Sequence, residues 1–206
     1  MARRSDHSRD ELYEMALAAA REIAEAEGLR GLTARRVAAK IGYSAGTLYN
    51  LFENLDDLIV HLNGGTLDAL YEALADARPD GEPEAALGAM ARTYIGFTGA
   101  HPNLWNILFE HRLAEGQELP EGHHAKVRRL LGLLEGALAP LFPPGRERER
   151  LHSARVLWCG LHGICSLTSA GASPESATAM ANSLVTNYVA GLRYGTARAT
   201  GPLRPA

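Results

Sequence analysis

Apolar residues recur every three or four positions along nearly the whole chain, and no convincing strand-like alternation interrupts them. The spacing predicts a first helix over 8–27, with Leu12, Met15, Ala16, Ala19 and Ile23 on one face and Gly28 and Gly31 closing it. Thr33 is placed to cap a second helix ending at Lys40, Ser44 a third to about residue 52, and Asn54 a long fourth. In that fourth helix Leu55, Leu58, Ile59, Leu62, Leu67, Leu70 and Leu74 recur. The stretch 77–84, rich in Pro, Gly and acid, is the clearest break. Further helices are predicted over 84–99, 101–113 (with Pro102 at its start), 122–141, 146–170 and 174–194. Loops separate them at 114–122 and at the FPPG stop, 142–145. The expected fold class is all-α, about nine helices, without an internal repeat.

Within this pattern, TARRVAAKIGYSAGTLYNLF (33–52) is unusual: two helices too short to be stable alone, joined by a tight turn at one glycine. These are the demands of a helix-turn-helix. Ala38 sits where the helices cross and a larger side chain would hold them apart. Gly42 sits where the turn favours positive φ. Val37 and Ile41 face inward from the first helix, and Leu48, Leu51 and Phe52 from the second. The outer face of the second helix is then left for DNA. Ser44, Ala45, Gly46, Thr47, Tyr49 and Asn50 lie on it; small residues let a helix enter a major groove about 12 Å wide. The hydroxyls of Ser44, Thr47 and Tyr49 suit phosphate oxygens, and Asn50 suits a phosphate or a base edge. Thr33, Arg35 and Arg36 on the preceding helix belong to the same candidate surface. Lys40 and the arm residues Arg3, Arg4 and Arg9 add positive charge.

Composition changes this picture in one respect. The chain has 206 residues, is 46% hydrophobic and carries a formal net charge of −3. Residues 1–55 hold eight Lys+Arg against eight Asp+Glu. DNA binding therefore has to come from a locally basic face and short polar side chains, with few phosphate contacts and salt-sensitive affinity. Acidic residues interrupt the start of the chain, which does not read as a signal peptide, and no window approaches a membrane span. The two cysteines, Cys159 and Cys165, lie six apart in one predicted helix and do not suit a disulfide, so a reducing cytoplasm is the expected compartment.

Thr33, Val37-Ala38, Gly42, Tyr43-Ser44, Gly46-Thr47-Leu48-Tyr49, Phe52 and Asp57-Leu58 together resemble the DNA-binding segment of the tetracycline-repressor-like (TetR) family of bacterial regulators. The likeness covers roughly the first 60 residues. It departs from the family pattern at Tyr43, where a small aliphatic is usual, at Asn50, where His is frequent, and at Leu55, where a phosphate-contacting Lys is often found. Further along, Trp158 and His162-Gly163 resemble a Trp-x3-His-Gly signature of one group of ligand-binding domains in this family, and HPNLWNILFEH (101–111) fits that group.

The resemblance implies a helix-turn-helix domain over 1–54, a ligand-binding and dimerising domain over 55–195, and a flexible tail over 196–206. It implies a homodimer joined through the last two helices, with Gly160, Gly163, Ala177, Ala181, Leu184, Val185, Tyr188 and Leu192 as candidate contacts. It implies a pocket for an apolar small molecule, with Tyr94, Phe97, Trp105, Phe109, Leu134, Trp158 and His162 as candidate lining. The implied function is a repressor of a palindromic double-stranded operator, released by its ligand, with no cofactor.

Three other readings are weighed against it. Cys159, His162 and Cys165 form C-x2-H-x2-C, suggesting a metal or thiol sensor, but steps of three drift around a helix and converge poorly on one ion. An enzyme would need a nucleophile elbow, phosphate loop or paired carboxylates, none of which has recognisable spacing here. A protein-binding adaptor would bury residues 44–50 against the rest of the chain.

Overall fold

A computed structural model describes residues 7–77, 81–113, 115–169, 171 and 176–200, with side chains to Tyr194. Arg3, Arg4, Ala170, Pro174 and the last six residues lie outside the described set. Nine α-helices occur among the described residues: α1 (Arg9–Gly31), α2 (Ala34–Lys40), α3 (Ala45–Leu48), α4 (Leu55–Asp76), α5 (Pro83–Ala100), α6 (Pro102–Glu110), α7 (Glu121–Leu138), α8 (Glu147–Ser169) and α9 (Ala177–Thr200). A 3-10 turn, Ala139–Leu141, follows α7. The fold is all-α, as the periodicity indicates.

The helix ends follow from local chemistry. Ser8 and Glu11 form a capping box: the Glu11 amide donates to Ser8 Oγ at 3.2 Å and the Ser8 amide to Glu11 Oε2 at 2.6 Å. Those hydrogen bonds hold the Glu11 carboxyl below its ordinary range. The cap is therefore intact above the usual carboxylate range and is lost as pH falls through the lowered folded value. Replacing Ser8 by alanine is expected to cost about 0.5–2 kcal/mol in thermal unfolding; an unchanged melting curve would mean that the first turn of α1 contributes nothing to the transition. Near its other end α1 kinks at Gly28, whose φ of 66° and ψ of −164° lie outside the helical region.

The described helices group into two compact units. The N-terminal unit runs to Asp68 and includes His101–Lys126; the C-terminal unit comprises Ala69–Ala100 and the chain from Val127 onward. Packing thus assigns α6 to the unit that carries α1–α3, whereas the sequence reading divides the chain once, after residue 54. In the N-terminal unit α1 presents Ala16, Ala19, Ala20 and Ala24, all buried, and these small side chains admit Leu104 and Ile107 of α6 at close range. The same core takes in Val37, Leu48, Phe52, Leu58, Ile59 and Leu62. In the C-terminal unit α5, α8 and α9 pack on one another around Leu87, Met90, Tyr94, Leu157, Leu161, Ala181 and Val185. Helix α9 continues to Thr200, beyond the point where the sequence reading begins a tail.

Candidate nucleic-acid interface and ligand cavity

The turn between α2 and α3 is fixed by a paired set of backbone bonds. The Tyr43 amide donates to Ala38 O at 2.9 Å and the Gly42 amide to Ala39 O at 3.1 Å, with Gly42 at φ 79°. This is a Schellman stop, and it needs the left-handed conformation that glycine adopts without strain. Thr33 Oγ1 accepts the Arg36 amide at 3.3 Å and caps α2; Ser44 Oγ accepts the Thr47 amide at 3.3 Å and caps α3. Val37, Ala38 and Leu48 are fully buried between the two helices and α1. Ile41 and Leu51 pack half-buried against the same core.

Helix α3 is shorter than its spacing predicts, ending at Leu48. The Asn50 and Leu51 amides donate three residues back, to Thr47 O and Leu48 O at 3.2 and 2.9 Å, so the last turn tightens into 3-10 form. The chain has to reverse here because α4 begins at once. Asn54 Oδ1 accepts the Asp57 amide and Asp57 Oδ2 accepts the Glu53 amide, at 2.9 and 3.0 Å.

Ser44, Gly46, Tyr49 and Asn50 are exposed, Ala45 and Thr47 half-buried. Tyr49 is the outstanding side chain, an aromatic ring 53% exposed. No hydrogen bond from the Tyr49 hydroxyl or the Asn50 side-chain carboxamide is made among the described residues. The basic residues divide. Arg36 is ion-paired to Glu27 and donates to Gly31 O at 3.0 Å, stapling α2 to the end of α1. That contact keeps the Glu27 carboxyl below, and the Arg36 guanidinium above, their ordinary ranges. Lys40 pairs with Glu22 at 2.7 Å. Arg35 and Arg9 are exposed and make no ion pair among the described residues. At the start of α4, Leu55 packs against the core, and Asp56 pairs with His111 at 2.8 Å.

The seven candidate pocket residues are divided between the two units. Trp105 and Phe109 lie on α6 in the N-terminal unit, ring against ring at 5.1 Å. The other five are in the C-terminal unit, where Tyr94, Leu134 and Trp158 line one cavity with Leu74, Leu87, Met90, Leu157 and Leu161. Its open space is about 10 Å³. The Tyr94 and Trp158 rings meet at 4.9 Å, and His162 Nδ1 is 3.3 Å from the Tyr94 hydroxyl. Burial holds His162 below its ordinary pKa, and so neutral, and pushes the Tyr94 phenol up. Phe97 is half-buried and is not among the residues that line this cavity. Leu134 apart, the aliphatic lining residues were not among the sequence candidates, because a leucine facing a cavity and one facing a filled core have the same spacing.

The candidate dimer stripes divide as well. A Cβ at Gly160 would lie 2.8 Å from Leu184 Cδ2, so this glycine serves the approach of α8 to α9 inside one subunit. Ala181 and Val185 are buried there, Leu184, Ala177 and Leu192 half-buried, and the Tyr188 hydroxyl donates to Ser153 O at 3.3 Å. Gly163 meets nothing within 4 Å. Val156 and Leu167, 42% and 53% exposed, stand on α8 with Cys159 and Gly163 at steps of three and four, an outward stripe of which the sequence candidates include Gly163 alone. Cys165 is buried and its Sγ accepts from Thr98 Oγ1 at 3.4 Å, while Cys159 is exposed; no group of three metal-ligating side chains converges among the described residues.

The family model for bacterial regulatory proteins of the tetR family matches residues 16–62, and that for the tetracyclin repressor-like C-terminal domain matches residues 87–188. An uncharacterized HTH-type transcriptional regulator from Bacillus subtilis (strain 168), YobS, is 26% identical over 154 residues, 74% of this chain and 76% of that protein. Among solved structures, a protein of unknown function from Rhodococcus sp. RHA1 superposes with a TM-score of 0.71 at 22% identity, over 93% of this chain and 98% of that one. The transcriptional regulator FadR from Bacillus subtilis, solved with stearoyl-CoA, gives 0.67 at 18% identity over 87% and 98%. No helix among the described residues is long and apolar enough to cross a membrane. The matches at both ends of the chain, the first of them containing the turn at Gly42 and the two helices it joins, place it in one group: the protein belongs to the TetR family and is a transcriptional regulator, not an enzyme.

Proposed function

We propose that the chain is a cytoplasmic, homodimeric repressor that binds a palindromic operator and leaves it when a small, mainly apolar ligand enters the cavity around Tyr94, Leu134 and Trp158. One observation carries the DNA half of this reading: the face at 44–50 is small, polar and open to solvent. Ser44, Thr47 and Tyr49 supply hydroxyls for phosphates, Gly46 and Ala45 allow close approach, and Asn50 reaches a phosphate or a base edge. Arg35 is the basic residue on α2 available for phosphate, whereas Thr33 and Arg36 act by holding α2 in place. With Leu55 turned into the core, the phosphate contact expected of a lysine there is missing, so one counterion fewer is released and the affinity, still salt-sensitive, has a correspondingly smaller salt slope.

The ligand half rests on the polar pair of Tyr94 and His162 at the edge of an otherwise apolar lining. The subunits meet through α8 and α9, with Gly163 and the Val156–Leu167 stripe supplying the outward contacts. Ligand and operator oppose one another through a coupling free energy of ~1–3 kcal/mol, by favouring subunit arrangements with different spacing of the two recognition helices.

Selection of bound DNA from a random pool at two salt concentrations tests the reading. The expected product is a palindrome whose half-sites lie about one helical turn apart. Tyr49→Ala is then expected to weaken all sequences together, and Asn50→Ala to relax preference at one base pair by about 1–3 kcal/mol. A pool without enrichment at either salt removes the DNA assignment; enrichment that survives both substitutions unchanged moves the interface elsewhere.

A further inference from the structure

The N-terminal unit contains a second cleft, separate from the cavity around Tyr94. It has about 350 Å³ of open space between α1, the middle of α4 and the first turn of α7. Its floor exists because α4 carries Gly64-Gly65 where a helix of this length has no conformational need of glycine. A Cβ at Gly65 would meet nothing within 4 Å, and one at Gly64 would lie 3.4 Å from Lys126 Cε. Two side chains are missing, and the space they leave is the cleft. Leu17, Val60 and Pro120 make its walls apolar.

The charges around the cleft have a sign. Lys126 is ion-paired to Asp68, so these two cancel. His123 is held below its ordinary pKa by burial and by the neighbouring His124 and Lys126, and its buried Nδ1 has no hydrogen-bond partner among the described residues. His61 accepts or donates one bond with the Tyr13 hydroxyl at 2.9 Å. The remaining formal charge on the lining is the carboxylate of Glu14, exposed and without an ion pair among the described residues. It stands next to Tyr13, whose ring forms part of the wall and whose phenol pKa is raised by burial first and by Glu14 next. A concave apolar floor, an aromatic wall and one uncompensated carboxylate favour a positive charge on a flat apolar body.

We propose that this cleft is a binding site for small amphipathic cations, seated on Gly64-Gly65 with the positive group toward Glu14 and the Tyr13 ring. The site does not depend on the assignment of the Tyr94 cavity.

The test is a fluorescence titration of the full-length protein with proflavine, a planar aromatic monocation, alongside an anionic dye of similar size. Native protein is expected to bind proflavine and not the anion. Gly65→Leu fills the floor and is expected to weaken proflavine at least tenfold. Glu14→Gln, an exposed change that leaves the core intact, is expected to weaken it several-fold and to flatten its dependence on salt. Trp158→Ala, in the other unit, is expected to leave it unchanged. The site is overturned by a native protein that does not bind proflavine, by equal binding of the anion, by undiminished binding in both Gly65→Leu and Glu14→Gln, or by loss in Trp158→Ala alone. The operator titration of the same samples reports the DNA reading separately.

Discussion

Gly46→Glu is expected to lower operator affinity at least about a hundredfold while leaving the fold intact. The position is exposed, its backbone is helical, and a Cβ there would find only Ser44 Oγ, at 3.7 Å, in ordinary contact. Glutamate favours the helix more than glycine does, and in the first turn of α3 its charge suits the helix dipole. Nothing inside the protein opposes the substitution. In the proposed complex the same carboxylate faces phosphates across a groove that α3 enters, and like charges brought together on binding cost several kcal/mol; about 2.7 kcal/mol already amounts to a hundredfold. The check is a DNA-binding titration beside a thermal melt. A lost affinity with an unchanged melt is the expected pair. Affinity that stays within threefold of native would place α3 outside the groove. Gly46→Ala separates charge from bulk, since it adds a methyl group and no charge.

The largest effect on stability is expected from Phe52→Ala. Phe52 is 2% exposed and its ring stacks on Tyr13 at 5.0 Å, in the core that joins α1, the end of the helix-turn-helix and the start of α4. Removing a buried phenyl group costs about 3–5 kcal/mol, part transfer and part cavity. Small domains have about 5–15 kcal/mol in all, so the N-terminal unit would lose a large share of its stability. Operator binding should fall with it and recover in part with Phe52→Leu, which restores most of the volume. The measurement is denaturant unfolding followed by far-ultraviolet circular dichroism. A loss below about 1 kcal/mol would mean that the site collapses around the gap and that Phe52 does not hold the recognition helix.

How much of this was legible beforehand depends on which partner a residue has. The turn at Gly42 could be read because its demands are local: a positive φ, a small residue at Ala38, a cap at Ser44 and inward apolar positions at Val37 and Leu48 all lie within a dozen residues. The early end of α3 could not, because it follows from the cap of α4, where Asn54 and Asp57 force the chain to reverse. Arg36 was read as a phosphate contact from its place on α2; its pairing with Glu27, nine residues earlier, depends on how α1 ends after the kink at Gly28. The resemblance implies Ala181, Val185 and Gly160 as dimer contacts, and periodicity alone does not say whose interior such a face belongs to. In the structure Ala181 and Val185 are buried on α9, which packs on α5 and α8 of the same subunit, and Gly160 of α8 lies against Leu184 of α9. Trp105 and Phe109 share aromatic character and helical spacing with Tyr94, and which compact unit each belongs to follows only from the three-dimensional packing. The cleft at Gly64-Gly65 had a visible sign, two glycines inside a helix, whose meaning appears only when α7 is placed opposite.

The cavity around Tyr94 is shut to about 10 Å³, room for one water at most. Ligands of the kind proposed need about 300 Å³ or more. If this cavity is the ligand site, as proposed, it admits a molecule only when the leucines and Trp158 part. The signal is then governed by a clock as well as by a concentration. At low ligand the rate of capture rises with dose, and at high ligand it levels off at the rate at which the door opens. Apparent affinity is diluted by the rarity of the open form, so a substitution that props the cavity open strengthens the response without adding a contact.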